Sequence, residues 1–425
     1  MKTTQNFRLF AVYVEKLDRY MEMYYYEITM IKREEFLKPM RLFYEITDLV
    51  KVIFGIRRSG KSVLLTQIAD ELKSSGVDEK YIIFLNFELY EFSEIKTADD
   101  LNKFVMSKID NKNKYYLFLD EIQNIENFEL VVNSLRAQGN ISIFITGSNA
   151  HLLSGELATH LSGRYIKFFV SPFTFAETLE ISDTKDTKTV FENYFQWGGL
   201  PGRFAFKTEE DTRKYLQDVY DSIVLRDILS RSNIRDLNLL DNIIQFLLNN
   251  VGNIFSANTV AKYLKSQRRS VSAEALYNYI GYILSSLLIN KVERYDIKGK
   301  NIFATLEKYY VSDIGLFQLK RANLETNLGG RLETIVANEL LARGYDIKIG
   351  ILRNSEIDFV AEKNGIRQYI QAAYTIDSDK TLNRELGAFK GIPDNFERIL
   401  ITKDNIDYSA NGIKHYNIIE WLLKK

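Results

Sequence analysis

The 425-residue chain has no cysteine, which excludes disulfides, thiolate zinc sites and cysteine nucleophiles and suits a reducing compartment. Its three histidines, His151, His160 and His415, are too few and too scattered for a histidine metal cluster. Net charge is also lacking. With 56 basic and 56 acidic residues, no global field draws the molecule to nucleic acid or to an anionic membrane, so any such contact must be local. Long apolar runs are missing too: the uncharged stretch Ala275 to Asn290 is 16 residues with Asn and Ser inside it, short of the ~20 that a membrane helix needs. The early run Leu9 to Val14 stops at Glu15 and Lys16, too soon for a secretory core. These absences lead to the expectation of a soluble, cytoplasmic protein without a membrane partner. What is present, 46% hydrophobic and 26% charged residues, is ordinary for a globular chain long enough for two or three domains.

One stretch carries a specific pattern: KVIFGIRRSGKSVLLTQIAD, from Lys51 to Asp70. Gly55, Gly60, Lys61 and Ser62 fill the fixed positions of G-x-x-x-x-G-K-[ST]. The context fits. Val52, Ile53 and Phe54 predict a strand before the loop, and Leu64, Leu65, Ile68 and Leu72 predict a helix after it that stops at Gly76. A loop wrapped around phosphates must turn its N–H groups inward, which needs glycine where the chain bends tightly and passes close to oxygen. The expected phosphate-binding residues are Gly55, Ile56, Arg57, Arg58, Ser59, Gly60, Lys61, Ser62 and Val63. Lys61 would reach the β- and γ-phosphates of ATP, and the Ser62 hydroxyl would ligate Mg²⁺.

Further apolar runs follow at 81–87, 115–120, 141–146 and 165–170, with helical segments beginning at Lys61, near Asp99 and near Glu126. Such alternation predicts a doubly wound parallel sheet, its strands buried on both faces. The third run ends in Asp120 and Glu121, an acidic pair whose burial needs a compensating cation. Asp120 is the candidate Mg²⁺ carboxylate, and Glu121 the base for an attacking water. The next run ends in Thr146-Gly147-Ser148-Asn149, where Ser148 and Asn149 are candidates to touch the γ-phosphate or the water; a simple turn fits them equally. Arg164, before the following strand, is a candidate to neutralise phosphoryl charge within its own subunit or across an interface, and a surface arginine is the plainer alternative.

In this order GIRRSGKSVLL, YYLFLDEIQ, FITGSNAHLLSG, LSGRY and SPFTFAE resemble the AAA-domain ATPases of prokaryotes that carry a C-terminal domain of unknown function. WGGLP at 197–201, VLRDIL at 224–229 and SEIDFVAEKNG with IQAAY continue the likeness, which covers nearly everything after Met30. The resemblance implies an additional-strand P-loop ATPase core in which Lys61, Ser62, Asp120 and Glu121 match the nucleotide and hydrolysis positions. The run at 81–87, lying between the loop and the acidic pair, is taken as the extra strand.

The expected fold class is α/β: a P-loop core over 31–172 after an N-terminal helical extension at 1–30, then a helical lid (173–250), a winged-helix-like module (251–325) and an α+β nuclease-like module (326–425). Arg226 is a candidate to complete the nucleotide site from the lid. Helices capped by Ser256 and Ser272, with runs flanking Lys298-Gly299-Lys300, read as a winged helix, where Arg268, Arg269, Lys298 and Lys300 would contact DNA phosphates. The alternative is a packing module with solvated basic residues, because four charges are a thin footprint in a neutral chain. The last module resembles restriction-endonuclease-like nucleases: Glu333 and Asp358 match the helix and strand acids, but Gln371, Ala372 and Ala373 replace acid-x-lysine. Loss of that carboxylate and lysine predicts a degenerate descendant. The leading function is an Mg-dependent ATPase coupling nucleotide state to its C-terminal modules. An ATP-regulated DNA-binding protein is the alternative, a nuclease the remote one, and oligomeric state stays open.

Overall fold

The computed structural model describes residues 31–424, apart from 111, 150–159, 162, 232, 233, 235, 267–270, 300, 301, 321–326, 353 and 354; the helix expected in the first thirty lies outside them. Strands β1 (Val50–Phe54), β2 (Ile82–Asn86), β3 (Tyr115–Asp120), β4 (Ile141–Gly147) and β5 (Tyr165–Phe169) form a sheet in the order β2-β3-β4-β1-β5. Every pairing is parallel. Between them run α1 (Lys61–Ser74), α2 (Ala98–Met106) and α3 (Phe128–Ala137). Alternate residues of the central strands serve opposite faces. Val52, Leu119 and Ile145 pack with Leu101 and Val132 of α2 and α3, while Ile53, Phe118 and Phe144 pack with Leu64, Ile68 and Leu72 of α1. This double covering explains why the runs read as continuously apolar.

Two expectations need correction. The strand that separates β1 from β3 is β4; the run at 81–87 takes the outer edge as β2. The additional strand of the sheet is therefore not the segment between the loop and the acidic pair. Burial on both faces holds for β1, β3 and β4 but not for the edge strands β2 and β5, which are half-buried.

Beyond the sheet lie α4 (Glu209–Ser222), a π-helical turn at Ile223–Ile228, α5 (Leu237–Asn249), α6 (Ala257–Ser266) and α7 (Ala273–Ser285). One apolar core joins Leu240 and Ile244 of α5, Val260 of α6, and Leu276 and Ile283 of α7, and it takes in Ile56 of the phosphate loop. Strands β6 (Ile289–Asp296) and β7 (Ile302–Val311) then pair as a hairpin. They do not form a separate wing. With β8 (Asp346–Leu352), β9 (Ser355–Lys363), β10 (Ile366–Ala372), β11 (Glu397–Thr402) and β12 (Ile413–Asn417) they make a mixed sheet in the order β12-β11-β10-β9-β8-β6-β7. Arg294 of β6 faces Ile349 of β8, so one sheet continues across the boundary expected at 325–326. Asn364 and Gly365, with φ of 52° and 78°, turn β9 into β10 as Asn-Gly predicts. Helix α8 (Leu328–Ala342) packs Leu332, Val336 and Leu340 on this sheet, together with Phe191 and Phe195 from the helix Thr187–Trp197.

Candidate nucleotide-binding site

The loop leaves β1 at the carboxyl edge of the parallel sheet, and each glycine there has a physical reason. A Cβ on Gly55 would lie 2.0 Å from the Val170 carbonyl oxygen, and Gly60 adopts φ +95° as the residue before α1. Lys61 opens the helix, nearly buried. Its ammonium donates to the carbonyls of Gly55 (3.1 Å) and Ile56 (3.2 Å) and stands 3.8 Å from Glu121 Oε1. Ser62 is exposed at the helix start and Val63 half-buried, while the Ser59 hydroxyl is buried without a hydrogen-bond partner. Arg58 is exposed, with a left-handed φ of 66°. The side chains of Ile56 and Arg57 turn away from the loop. Ile56 is buried in the core shared by α4 to α7, and Arg57 Nε donates to Asp227 Oδ2 (2.9 Å) while Nη1 reaches Glu88 (3.2 Å).

Asp120 ends β3 fully buried. Burial pushes its carboxyl above the usual range, and hydrogen bonds from Thr146 and Ser62 pull it back. Its Oδ2 is buried without a partner. Glu121, at φ 54°, donates its backbone N–H to Thr146 Oγ1 (2.9 Å), and Gln123 donates to its Oε2. Thr146 therefore fixes both acids. The sequence marked the strand end at Thr146 but assigned roles only to the two residues after Gly147. A hydroxyl opposite an acidic pair on the neighbouring strand was the available signal.

Ser148 and Asn149 are buried at the end of β4, which pairs with β1 at Phe54 and Gly147. Ser148 Oγ donates to Asp227 Oδ1 (3.0 Å), and Asn149 Nδ2 donates to the Asp227 carbonyl (3.0 Å). Asp227, 1% exposed, was missed. It lies within the VLRDIL segment, whose candidate had been Arg226; that arginine is exposed instead. Arg164 is also misplaced for a role in its own subunit. Val50 pairs with Tyr165, so the exposed Arg164 lies at the amino edge of the sheet, opposite the loop, about 15 Å away along a strand of five residues. In a parallel sheet, a residue just ahead of a strand always falls on that edge.

A second acidic centre lies between α8 and the mixed sheet. Glu333 and Asp358 do come together there, but a lysine comes with them: Lys308 of β7 reaches Glu356 (2.8 Å), Glu333 (3.3 Å) and Asp358 (3.3 Å). The acid-x-lysine positions remain Gln371, Ala372 and Ala373, and the lysine beside the two acids comes instead from β7, outside the motif. Ala372 N–H donates to Asp358 Oδ2, and Gln371 bridges the Asp358 N–H and Glu385. Burial and the Asp358 charge push Glu333 up to about 8. Among the described residues, no group of three or more Asp, Glu or His side chains is set to hold a metal ion. Of the candidate DNA contacts, Lys298 is exposed, and Arg268, Arg269 and Lys300 lie outside the described residues. Among those residues, no helix is long and apolar enough to cross a membrane.

Comparison with known proteins fits this arrangement. Residues 47–179 match the model of an AAA domain, and residues 188–326 that of a domain of unknown function (DUF8612). The chain is 37% identical over 401 residues to an uncharacterised protein of Haemophilus influenzae, covering 93% of this chain and 99% of that one. It is 30% identical over 388 residues to one of Methanocaldococcus jannaschii, covering 88% and 85%. A Walker-type ATPase of Pyrococcus abyssi shares the fold with a TM-score of 0.50 at 17% identity, over 68% of this chain and 95% of that one. A P-loop sheet with an acidic pair at its carboxyl edge, in a chain matched along almost its whole length, places this protein in the AAA-domain family of P-loop ATPases.

Proposed function

We propose that the protein binds ATP at the loop from Gly55 to Val63 and hydrolyses it. The observation that carries this reading is the buried, unpartnered Asp120 Oδ2 beside Ser62, with Glu121 held next to it and facing Lys61. An orphaned carboxylate oxygen beside a helix-start hydroxyl fits a hard divalent cation, so Ser62 and Asp120 would hold Mg²⁺, which supplies charge neutralisation when bound.

Lys61 exchanges its two carbonyl partners for phosphate oxygens, a stronger charge-assisted contact. Glu121 takes a proton from water as the water oxygen attacks the γ-phosphorus, and the bond to the departing ADP oxygen breaks. Gln123 donates to the Glu121 carboxylate and Thr146 accepts its backbone N–H, so both the side chain and the backbone of Glu121 are held. Ser148 and Asn149 supply donors near the γ-phosphate. Because Ile56 belongs to the core of the lid helices, changes at the loop pass into the region behind it. Arg164, on the far edge, takes part only across an interface between copies.

The test is phosphate release and nucleotide binding by wild type, Lys61→Ala and Glu121→Gln. Wild type releases phosphate, Lys61→Ala loses affinity by about 10- to 100-fold, the worth of a charge-assisted hydrogen bond, and Glu121→Gln binds without turnover. Wild type that neither binds nor hydrolyses ATP in the presence of Mg²⁺ refutes the proposal.

A further inference from the structure

Asp227 gathers three donors of the nucleotide site onto a single residue. Its carboxylate takes Arg57 Nε (2.9 Å) and Nη2 (3.3 Å) and the Ser148 hydroxyl (3.0 Å), and its carbonyl takes the Asn149 amide (3.0 Å). Arg57 lies 170 residues away in the chain, Ser148 79 and Asn149 78, so this convergence exists only in the folded molecule. The donors sit at adjacent carboxyl ends, because Phe54 of β1 faces Gly147 of β4. A guanidinium, a hydroxyl and an amide together are the set that suits an anionic phosphoryl oxygen.

The segment that carries Asp227 is distinctive. Ile223–Ile228 is a turn of π-helix that continues α4, and such single turns are rare and frequent at functional sites. Ile223 and Ile228 are buried in the core that holds α5, α6 and α7. A shift of this turn is therefore felt by the helices behind it, since packed apolar cores move between discrete arrangements rather than deforming smoothly.

We propose that Asp227 is the built-in competitor of the γ-phosphate and that its release is the signal by which the nucleotide state reaches the helical region. The inference rests on the nucleotide reading of the loop given above. A nucleoside triphosphate brings oxygens that claim Arg57, Ser148 and Asn149, so its binding frees Asp227 and loosens Ile223–Ile228. A diphosphate has no γ-phosphoryl group and leaves the contacts in place. By linkage, whatever pulls the turn away raises triphosphate affinity by the same factor.

Amide hydrogen exchange on the full-length protein tests this. In wild type, exchange across 223–228 rises with a non-hydrolysable ATP analogue and Mg²⁺, and stays at the nucleotide-free level with ADP. Asp227→Asn keeps a polar partner for Ser148 but removes the charge opposite Arg57. The variant exchanges fast at 223–228 without nucleotide, and it binds the analogue about ten-fold more tightly while ADP affinity changes less than about two-fold. Analogue that binds wild type without altering exchange at 223–228 overturns the proposal, as does weaker analogue binding by a folded Asp227→Asn. The wild-type exchange measurement does not depend on how well the variant folds. Failure of wild type to bind either nucleotide would instead refute the underlying nucleotide reading.

Discussion

Two lysines of this protein are buried to the same degree and face carboxylates, yet their surroundings differ in kind. Lys61 donates only to two neutral carbonyls, with Glu121 at 3.8 Å. Lys308 is held by three acidic side chains at 2.8 to 3.3 Å, and although burial alone would lower its pKa, the surrounding groups raise it well above the usual value. A cation held by weak neutral partners is open to exchange with an incoming anion. One saturated by buried charges is not, because withdrawing it would strand them in a medium of low dielectric. The first arrangement suits ligand binding and the second suits holding β7, β9 and α8 together.

Exchanging the two centres' roles experimentally would break this contrast. Glu121→Gln should lower turnover by about 10² to 10⁴-fold while the melting temperature stays near wild type, read by phosphate release and thermal unfolding. Lys308→Met should do the reverse. It leaves the buried acids unpaired and costs about 3 to 5 kcal/mol of stability by denaturant titration, while the folded fraction keeps its turnover; a variant as stable as wild type would show the Lys308 contacts to be idle.

Glu333 sharpens the contrast through pH. Its folded pKa of about 8 lies above the ordinary 4.5, so the folded state binds the extra proton. The stability it contributes is complete below about pH 4.5 and is lost as pH rises through about 8. Glu333→Gln should flatten that decline by about 1 to 3 kcal/mol between pH 5 and 8 in urea unfolding, and a decline as steep as wild type would count against it. The smallest effect belongs to Arg164→Ala. Nucleotide affinity of dilute protein should change by less than about two-fold, since the side chain stands on the far edge of the sheet; a loss of about ten-fold would mean that it reaches the phosphates of its own subunit.

The phosphate loop was legible because its chemistry is contiguous: eight residues, Gly55 to Ser62, carry turn, lysine and hydroxyl. The acidic pair was legible because it ends an apolar run, and the Asn364-Gly365 hairpin because its φ values follow from residue type. The own-subunit role weighed for Arg164 could have been set aside from the sequence, since parallel strands fix which edge a preceding residue occupies. Lys308 carried no signal, being 25 residues from Glu333 and 50 from Asp358, in a hairpin that resembled a wing.

The amino-acid sequence by itself determined the local elements of this protein: the loop, the strands, the helix starts and the family they belong to. Backbone conformation, apolar period and glycine geometry act over a few residues, so the chain states them directly. Tertiary structure alone decided that β4 enters between β1 and β3, that Lys308 fills the centre beside Glu333, and that Asp227 holds Arg57. Each depends on which surfaces bury one another, and a buried charge takes the nearest partner in space, at whatever distance along the chain.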